Sequence, residues 1–250
     1  MARLEFWYRV AVVALRPPMM VLTKRDWRGA ENIPATGGFV AAVNHISHLD
    51  PIAFAHFMYD HGRPPRYLAK AGLFTLPVIG RVVTGAGQIP VQRETSDASI
   101  AFGGAVDAVR RGECVAIYPE ATITRDPNMW PMTGKTGAAR VALETGCPVI
   151  PIAQWGPNQL LAPYTKVPHV LPRKTMHMLA GPPVDLSSLQ VADVTPEVLR
   201  AATTRIMSDI TKLLEQIRGE QAPEQRFDPR AHGQSRVPKP RGSVPDGPPA

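Results

Sequence analysis

The residues best suited to chemistry lie in one short turn. His45 and Asp50 stand in Asn44-His45-Ile46-Ser47-His48-Leu49-Asp50 with four residues between them. A carboxylate that accepts the Nδ1 proton of a histidine leaves Nε2 as a lone-pair base near neutral pH, which is what deprotonating an alcohol requires. Two other uses of these residues stay open. Asp50 followed by Pro51 makes a good N-cap and first-turn pair for a helix, and His45, His48 and Asp50 could ligate a metal. The metal reading lacks partners, because no later cluster of His, Cys or carboxylate completes a set.

Further charged residues fall where apolar runs end. Arg66-Tyr67-Leu68-Ala69-Lys70 closes on a lysine, and Gly87-Gln88-Ile89-Pro90-Val91-Gln92-Arg93 closes on an arginine. Glu113 to Tyr118 delivers Pro119-Glu120-Ala121-Thr122-Ile123-Thr124-Arg125. Taken singly, an arginine after a strand is a solvated charge and a loop glutamate is an exposed acid. If they converge on His45, the planar guanidinium fork of Arg93 suits a phosphate. Gly134-Lys135-Thr136 imitates the end of a P-loop, but Met129 occupies the leading glycine position, so a nucleoside triphosphate site is rejected and Lys135 instead opens a helix.

These side chains need a framework. The apolar run over 38–44 predicts a strand, and Ile52 to Tyr59 the helix after it. A strand end feeding a helix N-terminus is where α/β proteins place ligands, because unpaired N–H groups point outward there. Ala98, Ala101, Ala105, Ala108 and Val109 recur at helical spacing, with Arg110 and Arg111 in the last turn and Gly112 as the stop. Strands are predicted over 148–153 and 175–180. The longest amphipathic helix opens at Thr195-Pro196 and carries Val198, Ala202, Ile206, Ile210, Leu213 and Ile217 on one face. The run Gly72 to Gly80, broken by proline and glycine, either lines an acyl pocket or fills the core. The pattern predicts a single α/β domain over 29–218, with a mixed, largely parallel β-sheet flanked by helices. From Gly219 to 250 the chain is rich in proline, glycine and arginine, and disorder is expected because so little apolar surface can be buried.

Length and charge bound the rest. The 250 residues suit one substantial core, and 28 basic against 21 acidic side chains give a net charge of +7. Nucleic acid, an anionic membrane and phosphorylated substrates all fit that balance. The two cysteines suggest no disulfide framework. Residues 1–28 interleave Phe6, Trp7, Tyr8, Val10, Val12 and Val13 with Arg3, Arg9 and Arg16, as in a helix lying among lipid headgroups. The alternative is a helix docked on the protein's own core. Arg9, Arg16 and Pro17-Pro18 interrupt the run, so the roughly 20 apolar residues of a membrane span are missing, and no cleavable secretory signal is expected.

Four blocks now stand in a fixed order: Asn44-His45-x4-Asp50, Gly87-x-Ile89-x-Val91-x-Arg93, Tyr118-Pro119-Glu120-Ala121-Thr122-x-Thr124-Arg125, and Val149-Ile150-Pro151. Together they resemble the glycerolipid acyltransferase family, over roughly residues 30 to 185. The resemblance implies transfer of a fatty acyl group from acyl-CoA or acyl carrier protein to the hydroxyl of a lysophospholipid phosphate such as 1-acylglycerol-3-phosphate. Glycerol-3-phosphate, a glycolipid hydroxyl, or a non-enzymatic lipid-binding module are the alternatives. It implies His45 as general base and Asp50 as its orienter. Arg93 would hold the acceptor's phosphate, the block of Glu120 and Thr122 its glycerol, and Arg125, Lys70 and Lys135 further phosphate or CoA groups. No metal and no cofactor beyond the donor is implied, and the partners are lipid and donor rather than nucleic acid. The expected location is the cytoplasmic face of the cell membrane, held peripherally. Two departures touch the acceptor: the family pattern carries glycine and serine where this chain has Ala121 and Thr124, and phenylalanine where it has Tyr118.

Overall fold

The computed structural model describes residues 6–91, 98–191 and 193–231. Helix α1 (Phe6–Leu22) leads into strand β1 (Thr23–Arg28), then β2 (Phe39–Val43), α2 (Asp50–Asp60) and β3 (Pro65–Lys70). There follow α3 (Ile79–Gly85), β4 (Ile89–Val91), α4 (Ala98–Arg110), β5 (Cys114–Ile117) and α5 (Gly137–Thr145). The chain continues through β6 (Val149–Trp155), the short α6 (Pro157–Leu160), β7 (Lys174–Ala180) and the long α7 (Pro196–Arg218).

The seven strands form one sheet in the order β1-β7-β6-β2-β5-β3-β4. Every neighbouring pair is parallel except β6 with β7. All five residues of β2 are buried, as a strand covered on both faces requires. Successive side chains point to opposite faces. Phe39, Ala41 and Val43 meet Phe54, Phe57 and Met58 of α2 and Met19 of α1. Val40 and Ala42 meet Ala105 and Ala108 of α4, Ala138 and Val141 of α5, and Ile206 and Ile210 of α7. Each large side chain fully buried in this way contributes about 1.5–3 kcal/mol by transfer bookkeeping. Gly38 lets β2 enter close to α4, since a Cβ there would stand 1.9 Å from the carbonyl oxygen of Val109.

Adjacent strands β2 and β5 send their following helices, α2 and α5, to opposite faces of the sheet. The chain parts there, leaving a crevice at the strands' C-terminal ends. Helix α7 is held at both ends by local chemistry. Thr195 Oγ1 accepts from the N–H of Val198 at 3.4 Å, Pro196 opens the first turn, and Gly219 at φ 66° closes the last.

Three expectations change. Residues 23–28, assigned to the N-terminal segment, form the edge strand β1 paired with β7, so the domain begins before residue 29. Their charges hid them, and an edge strand with one free side tolerates such charges. The run 72–80 is largely exposed rather than core, with Val78 at 74%, and it contributes Leu73 to the wall of a cavity. The segment after Gly219 stays against the body as far as the buried Pro229, with Thr133 N donating to Phe227 O at 3.1 Å and Ala222 N to Glu215 Oε1 at 2.8 Å. Residues 232–250 lie outside the described residues.

Helix α1 docks one face, burying Tyr8 and Met19, and leaves Phe6, Val13 and Val21 at 63%, 74% and 68% exposure on the other. Asp60 of α2 ties it down, meeting Arg16 at 3.1 Å and Arg25 of β1 at 3.5 Å. Among the described residues no helix is long and apolar enough to cross a membrane.

Candidate active site

The site is built from the turn after β2. Asn44 closes the strand by locking onto β6. Its Oδ1 accepts from Gln154 N at 2.8 Å, its Nδ2 donates to Gln154 O at 3.1 Å, and Gln154 Nε2 donates to Asn44 O at 2.7 Å. The amide supplies the donor and the acceptor for that pairing on separate atoms. Gln154 was not foreseen. Its one signal is a polar residue near the end of an apolar strand.

Asp50, fully buried at the start of α2, gathers the turn around its carboxylate. One oxygen, Oδ2, accepts from Ile46 N at 2.5 Å, Ser47 N at 2.8 Å and His45 Nδ1 at 2.8 Å. An oxygen already facing two backbone N–H groups can only accept, so the His45 proton sits on Nδ1 and the lone pair on Nε2. Burial pushes the Asp50 carboxyl up, opposed by the His45 bond and the two N–H bonds. Tyr118 stacks on the imidazole, ring centroids 4.4 Å apart and planes 25° apart, and Tyr67 lies parallel beyond it at 6.4 Å. Tyr67 is in turn fixed by its hydroxyl on Pro51 O at 2.6 Å.

The backbone of His45 is held as firmly as its ring. Its N–H donates to Glu120 Oε1 at 2.9 Å, and its carbonyl accepts from Thr124 N at 2.7 Å. The other Glu120 oxygen accepts from Met132 N at 2.9 Å. Thr124 Oγ1 donates to Trp130 O at 2.7 Å, and Asp126 Oδ1 accepts from the N–H groups of Asn128 and Trp130 at 2.8 and 3.2 Å. Glu120 is 2% exposed and sits beneath the crevice, where both its oxygens serve backbone donors. One of these bonds makes Glu120 a grip on the backbone of His45.

Burial pushes the Glu120 carboxyl up to about 8, against the two N–H bonds that lower it. The folded chain thus holds this proton more tightly than the unfolded chain does. That contribution is complete below the ordinary carboxylate value of 4.5 and is lost as pH rises through about 8. Thermal unfolding followed from about pH 5 to about pH 8 should show a falling midpoint that levels off above it. A midpoint that climbs across the window would contradict the assignment.

His45 opens onto a cavity of about 650 Å³ whose walls include Lys70, Lys135, Phe102, Tyr118 and Ala121. Ala121 stands at φ 59° where the family pattern has glycine, a left-handed conformation that costs a non-glycine residue about 1–2 kcal/mol. The structure thus brings Lys70 and Lys135 to the same opening as His45. Thr122 is buried and Arg125 half-buried, and neither lines the cavity. Arg93 lies outside the described residues, although Val91, two residues earlier, is in the wall. His48 is exposed, and among the described residues no three His, Cys, Asp or Glu side chains gather as a metal set.

A second cavity of about 250 Å³ lies between α1, α2 and α3, walled by Tyr8, Val12, Leu15 and Met19 on one side and Ala55 and Val82 opposite. It shares Pro51, Tyr67, Val83 and Gln88 with the first, so the two spaces are neighbours across one partition.

The family model described as Acyltransferase matches residues 24–155. A chloroplastic 1-acyl-sn-glycerol-3-phosphate acyltransferase of Brassica napus, BAT2, is 30% identical over 140 residues, 55% of this chain and 39% of that one. The 1-acyl-sn-glycerol-3-phosphate acyltransferase of Borreliella burgdorferi is 31% identical over 131 residues, 52% of this chain and 50% of that one. The aligned stretch thus spans half or less of these relatives. The crystal structure of the 1-acyl-sn-glycerophosphate (LPA) acyltransferase PlsC from Thermotoga maritima shares the fold with a TM-score of 0.65 at 18% identity, covering 87% of this chain and 81% of that one. With a matched region that contains the His45 turn, the Glu120 loop and the strand that locks Asn44, the chain belongs to the acyltransferase family.

Proposed function

We propose that the protein transfers a fatty acyl group from a thioester to the free hydroxyl of a lysophospholipid phosphate, 1-acylglycerol-3-phosphate giving phosphatidate. The observation that carries this is the His45–Asp50 pair at 2.8 Å, with Nε2 left as base at the mouth of a cavity that also holds two lysines. The relatives' own names, 1-acyl-sn-glycerol-3-phosphate acyltransferases, support the same acceptor.

The step balances without a protein nucleophile. Nε2 of His45 takes the hydroxyl proton as the alcohol oxygen attacks the thioester carbonyl; Asp50 steadies the imidazolium that forms. The tetrahedral intermediate collapses, the carbon–sulfur bond breaks, and the thiolate leaves with that proton from His45. The donor is acyl-CoA or acyl carrier protein. Lys70 and Lys135 supply positive charge for the phosphates of donor or acceptor. The apolar cavity beside Tyr67 takes the start of the acyl chain, since its walls are almost wholly hydrocarbon. The exposed apolar face of α1 and the net charge of +7 suit a peripheral position on an anionic leaflet.

Product analysis decides this. Incubation with labelled acyl-CoA or acyl carrier protein and a panel of lysophosphatidate, glycerol-3-phosphate and a glycolipid should yield phosphatidate from the first. Label in another acceptor replaces the acceptor, and vesicle binding with no thioester consumed would favour a lipid-binding module.

A further inference from the structure

Arg218, the last residue of α7, lies outside the family-matched residues 24–155 and far along the chain from every block described above. Its guanidinium is nonetheless inserted into the loop that grips His45. The carbon Cζ stands 4.0 Å from the ring centroid of Trp130 and 4.6 Å from that of Trp155, so the planar cation is held between two indoles. Nη1 donates to Asn128 O at 2.8 Å, Nη2 pairs with Glu220, and the side chain is only 10% exposed.

From Trp130 two bonded routes lead to His45. One runs through Trp130 O to the Thr124 hydroxyl at 2.7 Å and from Thr124 N to His45 O at 2.7 Å. The other runs two residues along to Met132 N, then through the two oxygens of Glu120 at 2.9 Å each to His45 N. Both peptide groups of the histidine therefore hang on a loop whose outer side is fixed by Arg218. Trp155 ends β6, the strand that locks Asn44, so the cation also bridges the two supports of the turn. Lysine is a poor substitute, because an ammonium cannot fill the slot between two flat rings and reach the Asn128 carbonyl at once.

We infer that Arg218 is a positioning residue for His45: it clamps the 124–132 loop and so sets where the imidazole stands. This rests on His45 acting as the base. A displacement of the order of 1 Å in a catalytic group can cost about 100-fold in rate. In Arg218→Ala, kcat for acyl transfer should therefore fall by roughly 10- to 100-fold while the acceptor KM moves little. Arg218→Lys should lie between. Arg205→Ala, on the same helix but bonded to Asp185 O, should match the parent.

The deciding readout needs no turnover. The Nδ1 proton of His45, bonded to Asp50, should give a downfield NMR resonance that is lost in His45→Gln. In folded Arg218→Ala that resonance should shift or broaden, and in Arg205→Ala it should not. If Arg218→Ala fails to fold, Arg218→Lys carries the same comparison. A folded variant with unmoved resonance, or with unchanged kcat, overturns the inference. A parent protein that acylates no acceptor defeats the proposed function instead, and the resonance still reports whether Arg218 reaches His45.

Discussion

Replacing His45 with alanine should lower acyl transfer by about 10²- to 10⁴-fold, the range that a positioned general base supplies. The fold should survive, because the ring is at the cavity wall rather than in the core, and what holds the turn is backbone: the His45 N–H on Glu120 and its carbonyl under Thr124 N. The companion change is Asp50→Asn. Among the described residues Oδ1 of Asp50 has no hydrogen-bond partner, so the new amide nitrogen can occupy that position while its oxygen keeps the three donors on the Oδ2 side. The charge is lost, and the buried NH2 finds no acceptor there, so unfolding should also show a loss of about 1–3 kcal/mol. Transfer should still drop about 100-fold or more, because a neutral amide stabilises the imidazolium far less than a carboxylate. Steady-state rates with thioester and lysophosphatidate, alongside melting curves, check both. Retained transfer in folded His45→Ala would remove it from the base role.

Glu120→Gln should be nearly as damaging, for a different reason. The two oxygens of Glu120 each accept from a backbone N–H, His45 on one side and Met132 on the other. Glutamine has a single oxygen, so whichever way the amide turns, its NH2 faces one of those donors. The site is 2% exposed and admits little water to repair the mismatch. One buried N–H left unpaired costs about 1–3 kcal/mol, and donor facing donor adds to it. Denaturant unfolding should show a loss of about 2–3 kcal/mol. The surviving folded fraction should show a reduced kcat, with the acceptor KM little changed. Direct contact with the acceptor makes the opposite forecast: KM rises and stability holds. Unfolding midpoints and the division between kcat and KM separate the two roles.

The framework was legible where burial writes a strong pattern. An unbroken apolar strand such as Phe39–Val43 must be central, and Gly112, Gly146 and Gly219 end helices because each takes the left-handed conformation that glycine adopts freely. The His45–Asp50 pairing was legible because turn geometry is local. What sequence could not convey was direction and distance. Thr23–Arg28 carries edge-strand charges that read as a flank, and Glu120 looks the same on paper whether it faces a cavity or two backbone amides. The Asn44–Gln154 lock and the Arg218 sandwich join residues 110 and 88 positions apart, separations at which no periodicity speaks.

The reversal at β7 has a consequence of its own. Parallel neighbours are joined by crossovers that return over the sheet, but β7 runs back along β6, so residues 161–173 between α6 and β7 can stay at the edge where β6 ends. Two bonds keep that stretch beside the turn and the Glu120 loop, Ser47 Oγ to Leu161 O at 2.7 Å and Tyr164 hydroxyl to Ile123 O at 3.0 Å. Insertions or deletions there would leave every crossover intact, and through these two bonds they would bear on the His45 turn and on the loop that holds it.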